Sequence, residues 1–420
     1  MTSTNENNSY NADELVAPKW LNAQFLEPVL SKYEKAPELK VVSVNISPAS
    51  AKGDHYASIM FRGNVSYTTQ RGNHSKSLII KTVPEEEGHK KEMLKDTYLF
   101  KTEIGMYTKV LPRFEEILKA SGDETQLCAS CIYHSLEPRE VMIFEDLVPL
   151  GYTVLRDRNA TVEEIKGAFL KLAKLHAVSF KILQETPEFL KDFQNGICKM
   201  PNILNDPFMT TGLSNFLELL DSKPEFAKYR PYFRSKANTH MDLFVDISEE
   251  YRRNPQPNGY YVLSHGDFHL RNMMFKHNAL DQSFEDCMLL DYQICNICPI
   301  TIDVIYATYM VLSPEDRQQN LEQLIDFYFS SFVQTLQKIG YKGELPNFVE
   351  FQRQMTRHNF YDFFLISAFL PLLHGVRENV MDITEALQQN EVRKKLFFLD
   401  TYVEDVSFLL AKFEKLGYFD

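Results

Sequence analysis

The run His265-Gly266-Asp267-Phe268-His269-Leu270-Arg271-Asn272 is followed, 19 residues beyond Asn272, by Asp291 in the stretch Leu289-Leu290-Asp291-Tyr292-Gln293. Phosphoryl transfer from a nucleotide needs such a set: a carboxylate facing the acceptor hydroxyl and two oxygen ligands for Mg²⁺. Asp267 fits the first role, Asn272 and Asp291 the second. The apolar residues 261–263 read as a short buried strand, so Asp267 and Asn272 sit in the loop that leaves it. Residues 273–276 and 287–290 read as a hairpin joined by the polar, turn-rich segment 277–286, which returns Asp291 to the neighbourhood of Asn272. A polar loop with incidental acids is the plain alternative in a chain with 57 Asp and Glu. Agreement among several constrained positions argues against it.

A second pair of residues bears on the nucleotide. Lys81 ends the apolar run Leu78-Ile79-Ile80 and shares a strand face with Ile79. An inward Lys is costly unless it is paired or bound to phosphate. Residues 91–111 read as a helix on which Phe100, Glu103, Tyr107 and Val110 share one face. Glu103, inside that apolar stripe, is the natural partner of Lys81, as in the Lys–Glu pair that orients nucleotide phosphates in kinases. Gly53 and Ser58 lie in a loop between strands whose backbone amides could cover phosphates; an ordinary hairpin turn explains that loop nearly as well. Glu145 and Leu147 follow a strand where the character of the chain changes, at a hinge whose backbone groups could meet an adenine.

The elements that must position these groups divide in two. Residues 20–30 read as an amphipathic helix, 40–67 and 77–83 as antiparallel strands, and 128–133 and 140–144 as two more. From residue 161 onward helices dominate, apart from the strand–loop–hairpin block at 260–291. Strands with one helix first and helices afterwards make an α+β chain of two lobes, divided as 1–146 and 147–420, with residues 1–11 expected to be disordered. The net charge of −12, without a basic block, speaks against nucleic acid or an anionic membrane as partner. Residues 363–373 form the longest apolar stretch, too short to span a bilayer, and are expected to be one buried helix. The polar first ten residues lack the apolar core of a secretory signal, and six cysteines suit a reducing compartment, so a cytoplasmic location is expected. The sequence leaves the oligomeric state open.

Three stretches then carry a family resemblance: Leu263 with the run through Asn272; Leu290-Asp291-Tyr292-Gln293; and Leu172-Ala173-Lys174-Leu175-His176-Ala177-Val178-Ser179. They resemble the ecdysteroid kinase-like (choline-kinase-like) family of insects, related to aminoglycoside phosphotransferases and choline kinases. Ala17-Pro18-Lys19-Trp20-Leu21, residues 53–58, residues 100–107 and Phe144-Glu145-Asp146-Leu147 match as well. Asp54-His55 departs from the acidic residue and Asn expected after Gly53. The resemblance implies a protein-kinase-like two-lobe fold: a small nucleotide-binding lobe with an antiparallel sheet and one key helix, and a large, mostly helical lobe. It implies ATP- and Mg²⁺-dependent phosphorylation of a hydroxyl on a small molecule, with an ecdysteroid or another apolar alcohol as acceptor. It also implies that His265 holds the loop structurally and that Asp303 braces it. From its position at the start of the helix 304–311, Asp303 would otherwise serve as an N-terminal acid. His176 and Ser179 read as packing residues, and His269 has no assigned role.

Other readings remain. A choline- or aminoglycoside-type kinase shares the same motifs. A catalytically silent binding module would have lost Lys81, Asp267, Asn272 or Asp291, and all four are present. A metallophosphoesterase could open with Gly266-Asp267-Phe268-His269, but the further motifs it requires are missing. The pairs Cys128/Cys131 and Cys295/Cys298 are too far apart for a zinc ribbon and are expected to be buried free thiols. Phe208, Phe216, Leu217, Tyr229, Tyr232 and Phe233 are candidates for an apolar acceptor pocket, or simply for helical core.

Overall fold

The computed structural model describes residues 15–49, 58–86, 91, 94, 97–380 and 383–419. Residues 1–11 and Gly53, Asp54 and His55 therefore lie outside the described part, and with them the expectations of disorder and of a phosphate-covering loop. The chain forms two compact units, Met1–Pro112 with Cys128–Thr153, and Arg113–Leu127 with Val154–Asp420. The first thus extends beyond the expected division at residue 146, and a short stretch before it belongs to the second.

The first unit is an antiparallel sheet of β1 (Lys40–Pro48), β2 (Ile59–Thr69), β3 (Gly72–Thr82), β4 (Cys131–Ser135) and β5 (Val141–Glu145), in the order β1-β2-β3-β5-β4. In β2 the alternate residues Ile59, Phe61, Val65 and Tyr67 are buried, the two-residue period of a strand with one face on a core. Helix α1 (Ala23–Tyr33) adds Leu26, Val29 and Leu30 to that core. It begins three residues later than expected because Asn22 caps it, accepting a bond from the Phe25 amide at 3.1 Å. The second helix is interrupted rather than continuous. Residues 91 and 94 are helical, 97 and 98 are not, and α2 (Leu99–Gly105) passes through a π-helical turn, Met106–Val110, into α3 (Leu111–Ala120). The strand expected from Cys128 begins at Cys131.

In the second unit the central element is α4 (Val162–Glu185). It starts at a capping box in which Thr161 and Glu164 satisfy each other's backbone amides. Its apolar face packs on α7 (Leu321–Lys338), on β6 (Tyr261–Leu263) and on β8 (Phe284–Leu289). Gly167 allows the last approach: a Cβ there would stand 2.2 Å from the Phe284 ring. Strand β6 pairs antiparallel with β9 (Ile297–Pro299), and β7 (Met273–His277) forms the expected hairpin with β8, whose second strand begins earlier than the sequence suggests. Helix α6 (Thr301–Met310) follows, while α5 (His240–Ser248) precedes the block. The apolar stretch at 363–373 is not one helix. It is shared by α8 (Asn359–Ala368) and α9 (Leu370–Arg377), bent by 44°. Pro371 accounts for the bend: it has no N–H for the Ser367 carbonyl, and the Gly212 backbone lies against that freed oxygen. No single described helix is long and apolar enough to cross a membrane.

Candidate active site

The loop from β6 to β7 carries the motif, and its shape is imposed from below. Gly266 adopts φ +82, and a Cβ there would meet the Ile294 carbonyl at 2.7 Å, so only glycine fits. Asp303, 1% exposed in the first turn of α6, accepts from the His265 amide at 2.6 Å and the Gly266 amide at 3.0 Å. It also accepts from His176 Nε2 at 3.0 Å, while His176 Nδ1 meets the Tyr328 hydroxyl at 2.5 Å. Asp303 is thus the brace that the family resemblance implies, not a helix cap. Burial works to raise its pKa, but the bond and charge of His176 outweigh burial and hold it below the usual carboxylate range. His176 and Ser179, assigned to packing, do more: the Ser179 hydroxyl accepts the Leu263 amide at 3.0 Å, so one helix holds the strand and the loop together.

Burial holds the pKa of His265 below its ordinary value. Its Nε2 donates to the Leu290 carbonyl at 3.0 Å and its Nδ1 accepts from the Asp267 amide at 3.3 Å. The Leu290 amide in turn donates to the Asn272 carbonyl at 2.9 Å. Together these bonds bring the chain entering Asp291 alongside Asn272, as the hairpin predicted. Asp291 has φ 67, a left-handed conformation uncommon for a side-chain-bearing residue and tolerated best by Asp and Asn.

Asp267 is about one quarter exposed, at 24%, and both its oxygens carry donors. The Tyr306 hydroxyl donates to Oδ1 at 2.9 Å, His269 Nε2 lies 3.3 Å from the same oxygen, and Asn272 Nδ2 donates to Oδ2 at 3.0 Å. Burial raises the Asp267 pKa, yet the opposing charge and bond of His269, with help from His265 and Tyr306, push it down to about 2. The His269 ring, which burial would disfavour as a cation, is held above its ordinary value by Asp267. At neutral pH Asp267 is therefore a fixed carboxylate, suited to orient a hydroxyl proton. The bond from Asn272 Nδ2 leaves the amide oxygen Oδ1 as the end available to a cation.

Mg²⁺ is usually held by one or two carboxylates with phosphates and water rather than by a protein cage. Asn272 and Asp291 supply hard oxygens of that kind. Among the described residues no group of three or more His, Cys, Asp or Glu forms a metal cage. The donor set fits Mg²⁺ completed by nucleotide oxygens.

The first unit presents its own part of the expected chemistry. Lys81 Nζ meets Glu103 Oε2 at 2.6 Å, with side chains 3% and 2% exposed. Cys131 lies near Glu103, and burial with that charge pushes its thiol up to about 12. Ser58 is buried. The Glu145 amide is committed to the Ser130 carbonyl, and the Leu147 carbonyl to the amides of Leu150 and Tyr152. Neither of those two groups is open to an adenine. Asp146 anchors the segment by accepting from Arg62 Nε and the Ser77 hydroxyl, both at 2.7 Å.

None of the six cysteines is in a disulfide, and Cys128 and Cys131 are half-buried rather than buried. Of the aromatic candidates for an acceptor pocket, Phe216 and Phe233 are core, packed edge-on against each other at 5.0 Å. Phe233 also packs on Phe363 of α8. Tyr306 was missed. The sequence signal for it is its place one helical turn after Asp303, on the same face of α6.

The ecdysteroid kinase-like family matches residues 52–341 of the chain. No curated protein matches the sequence. Among solved structures, an ethanolamine kinase of Plasmodium vivax is 12% identical over 91% of this chain and 89% of its own, with a TM-score of 0.42. The choline kinase LicA of Streptococcus pneumoniae is 14% identical over 89% of this chain and 99% of its own, with a TM-score of 0.37. A macrolide 2'-phosphotransferase of Brachybacterium faecium is 11% identical over 86% and 96%, with a TM-score of 0.34.

Proposed function

The chain belongs to the ecdysteroid kinase-like family, and we propose that it transfers the γ-phosphoryl group of ATP, with Mg²⁺, to a hydroxyl of a small apolar alcohol of the ecdysteroid kind. One observation carries this reading: the loop geometry joins Asn272 to the Asp267 carboxylate and draws Asp291 alongside through the Leu290–Asn272 backbone bond.

Each group has a role that its surroundings support. Asp267, ionised and held by three donors, accepts the hydrogen bond of the acceptor hydroxyl and aims that oxygen at the phosphorus. With its pKa near 2 it orients the proton and does not take it up early in the transfer. Asn272 and Asp291 would hold Mg²⁺, which when bound offsets the charge of the phosphate oxygens. In the first unit, Lys81, fixed by Glu103, would hold the α- and β-phosphates. The ATP and Mg²⁺ dependence, the small-molecule alcohol acceptor and a cytoplasmic site of action are all part of this proposal.

The test is consumption of Mg·ATP that depends on an added alcohol, with the phosphorylated product identified by mass. Asp267→Asn should lower turnover by ~10² or more while sparing Mg·ATP affinity. Asp291→Ala should abolish turnover and weaken Mg·ATP binding in a calorimetric titration. Near-normal turnover in a folded Asp267→Asn protein would overturn the assignment. Release of phosphate from esters without ATP would point to a phosphoesterase instead.

A further inference from the structure

Within the second unit a row of aromatic side chains leads away from Asp267. Tyr306, whose hydroxyl rests on that carboxylate, meets the Phe369 ring at 6.0 Å, edge to face. Phe369, at the bend between α8 and α9, meets Phe208 edge-on at 5.1 Å and Phe364 at 6.1 Å. Phe364 lies nearly parallel to Tyr361, with centroids 6.4 Å apart, and stacks on Phe244 of α5 at 4.1 Å. Phe208 and Phe369 are only half-buried, and the carboxylate at the head of the row is itself open to solvent. The row therefore borders the place where an acceptor would meet Asp267.

Tyr361 differs from the other polar side chains there. It is 7% exposed, yet its hydroxyl takes no hydrogen bond from any described residue. Its oxygen is not among the buried atoms sealed from solvent without a partner, so it reaches accessible space. A hydroxyl that no protein group engages can both donate to and accept from whatever enters that space. After burial, Asp303 bears most on this hydroxyl, followed by Cys298, Cys198 and Asp267, and Tyr361 in turn bears on the Tyr306 hydroxyl that rests on the catalytic carboxylate.

We propose that this row is the acceptor subsite and that Tyr361 is its specificity-determining residue, bonding a second oxygen of an uncharged, flat, largely apolar alcohol whose first oxygen faces Asp267. The proposal rests on the kinase reading above. Ring faces and edges suit a fused apolar skeleton. A quaternary ammonium would also lie on such rings, but it offers nothing to the open hydroxyl of Tyr361. It would also want an unengaged carboxylate, whereas Asp303 and Asp267 each already carry three donors.

The experiment measures binding of three probes by equilibrium dialysis, with Mg²⁺ and a non-hydrolysable ATP analogue present: ecdysone, a steroid with several hydroxyls; cholesterol, with one; and choline. Wild-type protein should bind ecdysone best. Tyr361→Phe keeps the ring and should weaken ecdysone by about 3- to 10-fold, the worth of one hydrogen bond, while leaving cholesterol unchanged. Phe369→Leu should weaken both steroids. Equal effects of Tyr361→Phe on the two steroids, no effect on either, no steroid binding, or a preference for choline would each overturn the proposal. Mg·ATP binding, titrated separately, distinguishes the two failures. Its absence sinks the kinase reading, whereas firm Mg·ATP binding without ecdysone binding sinks the subsite alone.

Discussion

Replacing Asp303 by Asn keeps the volume of the brace and removes its charge. The carboxylate accepts three bonds, from the amides of His265 and Gly266 and from His176 Nε2, two of them on Oδ2. An Asn can present only one acceptor oxygen. Its better orientation keeps that oxygen toward His265 and His176 and turns the amide nitrogen toward the Gly266 N–H. One buried donor then faces another donor, at a cost of about 1–3 kcal/mol, and two charge-assisted bonds become neutral ones, losing roughly 1 kcal/mol each. The sum, about 3–5 kcal/mol, should lower the thermal unfolding midpoint of the second unit by several degrees. It should also reduce turnover through displacement of the loop, even though Asp303 touches neither nucleotide nor acceptor. The charge has a pH signature as well. The folded pKa of Asp303 is depressed, so its contribution is present above the unfolded carboxylate value and is lost as pH falls through the folded one. Wild-type protein should therefore lose on acidification below about pH 4 an increment of stability that the Asp303→Asn variant never had. An unchanged midpoint at neutral pH, or parallel acid profiles for the two proteins, would refute the brace.

Three further outcomes are expected. Tyr306→Phe removes a donor from a carboxylate that water can partly reach, so turnover should fall by about 5- to 30-fold with Mg·ATP affinity intact; in an Asp267→Asn background the same change should cost little more, and additivity in that cycle would show that the bond is idle. Lys81→Met should weaken Mg·ATP binding in calorimetry by ~10-fold or more. Glu103→Gln should do the same and also lower stability, because it removes a carboxylate that faces a buried ammonium, and the two effects should be non-additive. Asp362, donated to by the Tyr309 hydroxyl at 2.6 Å, is pushed up to about 7 by burial. With its folded pKa raised, its contribution is complete below the unfolded carboxylate value and lost as pH rises to about 7, so the wild-type midpoint should fall between about pH 4 and 7 relative to Asp362→Asn; equal slopes for the two proteins would contradict it.

The residues legible from sequence are those whose partners are set by short-range rules. Asp267 and Asn272 share a loop, and the hairpin that follows has to return near its start, so Asp291 could be placed without knowing the rest of the fold. Lys81 and Glu103 were paired through strand parity and helical spacing joined by a charge argument, and the ion pair exists. The illegible parts depend on packing between elements distant in sequence. Tyr306 reaches Asp267 because α6 is hooked under the loop by Asp303, a docking that no local pattern encodes. The bend at Phe369 needed both the lost N–H of Pro371 and the neighbouring backbone of Gly212. The aromatic residues at 208–233 look alike in sequence, yet Phe208 reaches the row while Phe216 and Phe233 disappear into the core. The Glu145 amide and the Leu147 carbonyl are spent on local bonds that side-chain identities do not reveal.

Asp303 and Tyr306 lie one turn apart on α6, and one grips the backbone of the loop while the other grips the carboxylate that the loop carries. The position of Asp267 is thereby referenced to a helix axis rather than to the loop's own torsions. When α6 shifts thermally, backbone and carboxylate are carried together, so their relative placement is preserved while their common frame moves. Jitter is passed to whatever stands opposite the loop. In the role proposed for Asp267, the carboxylate would travel with its scaffold to meet an acceptor without losing its orientation.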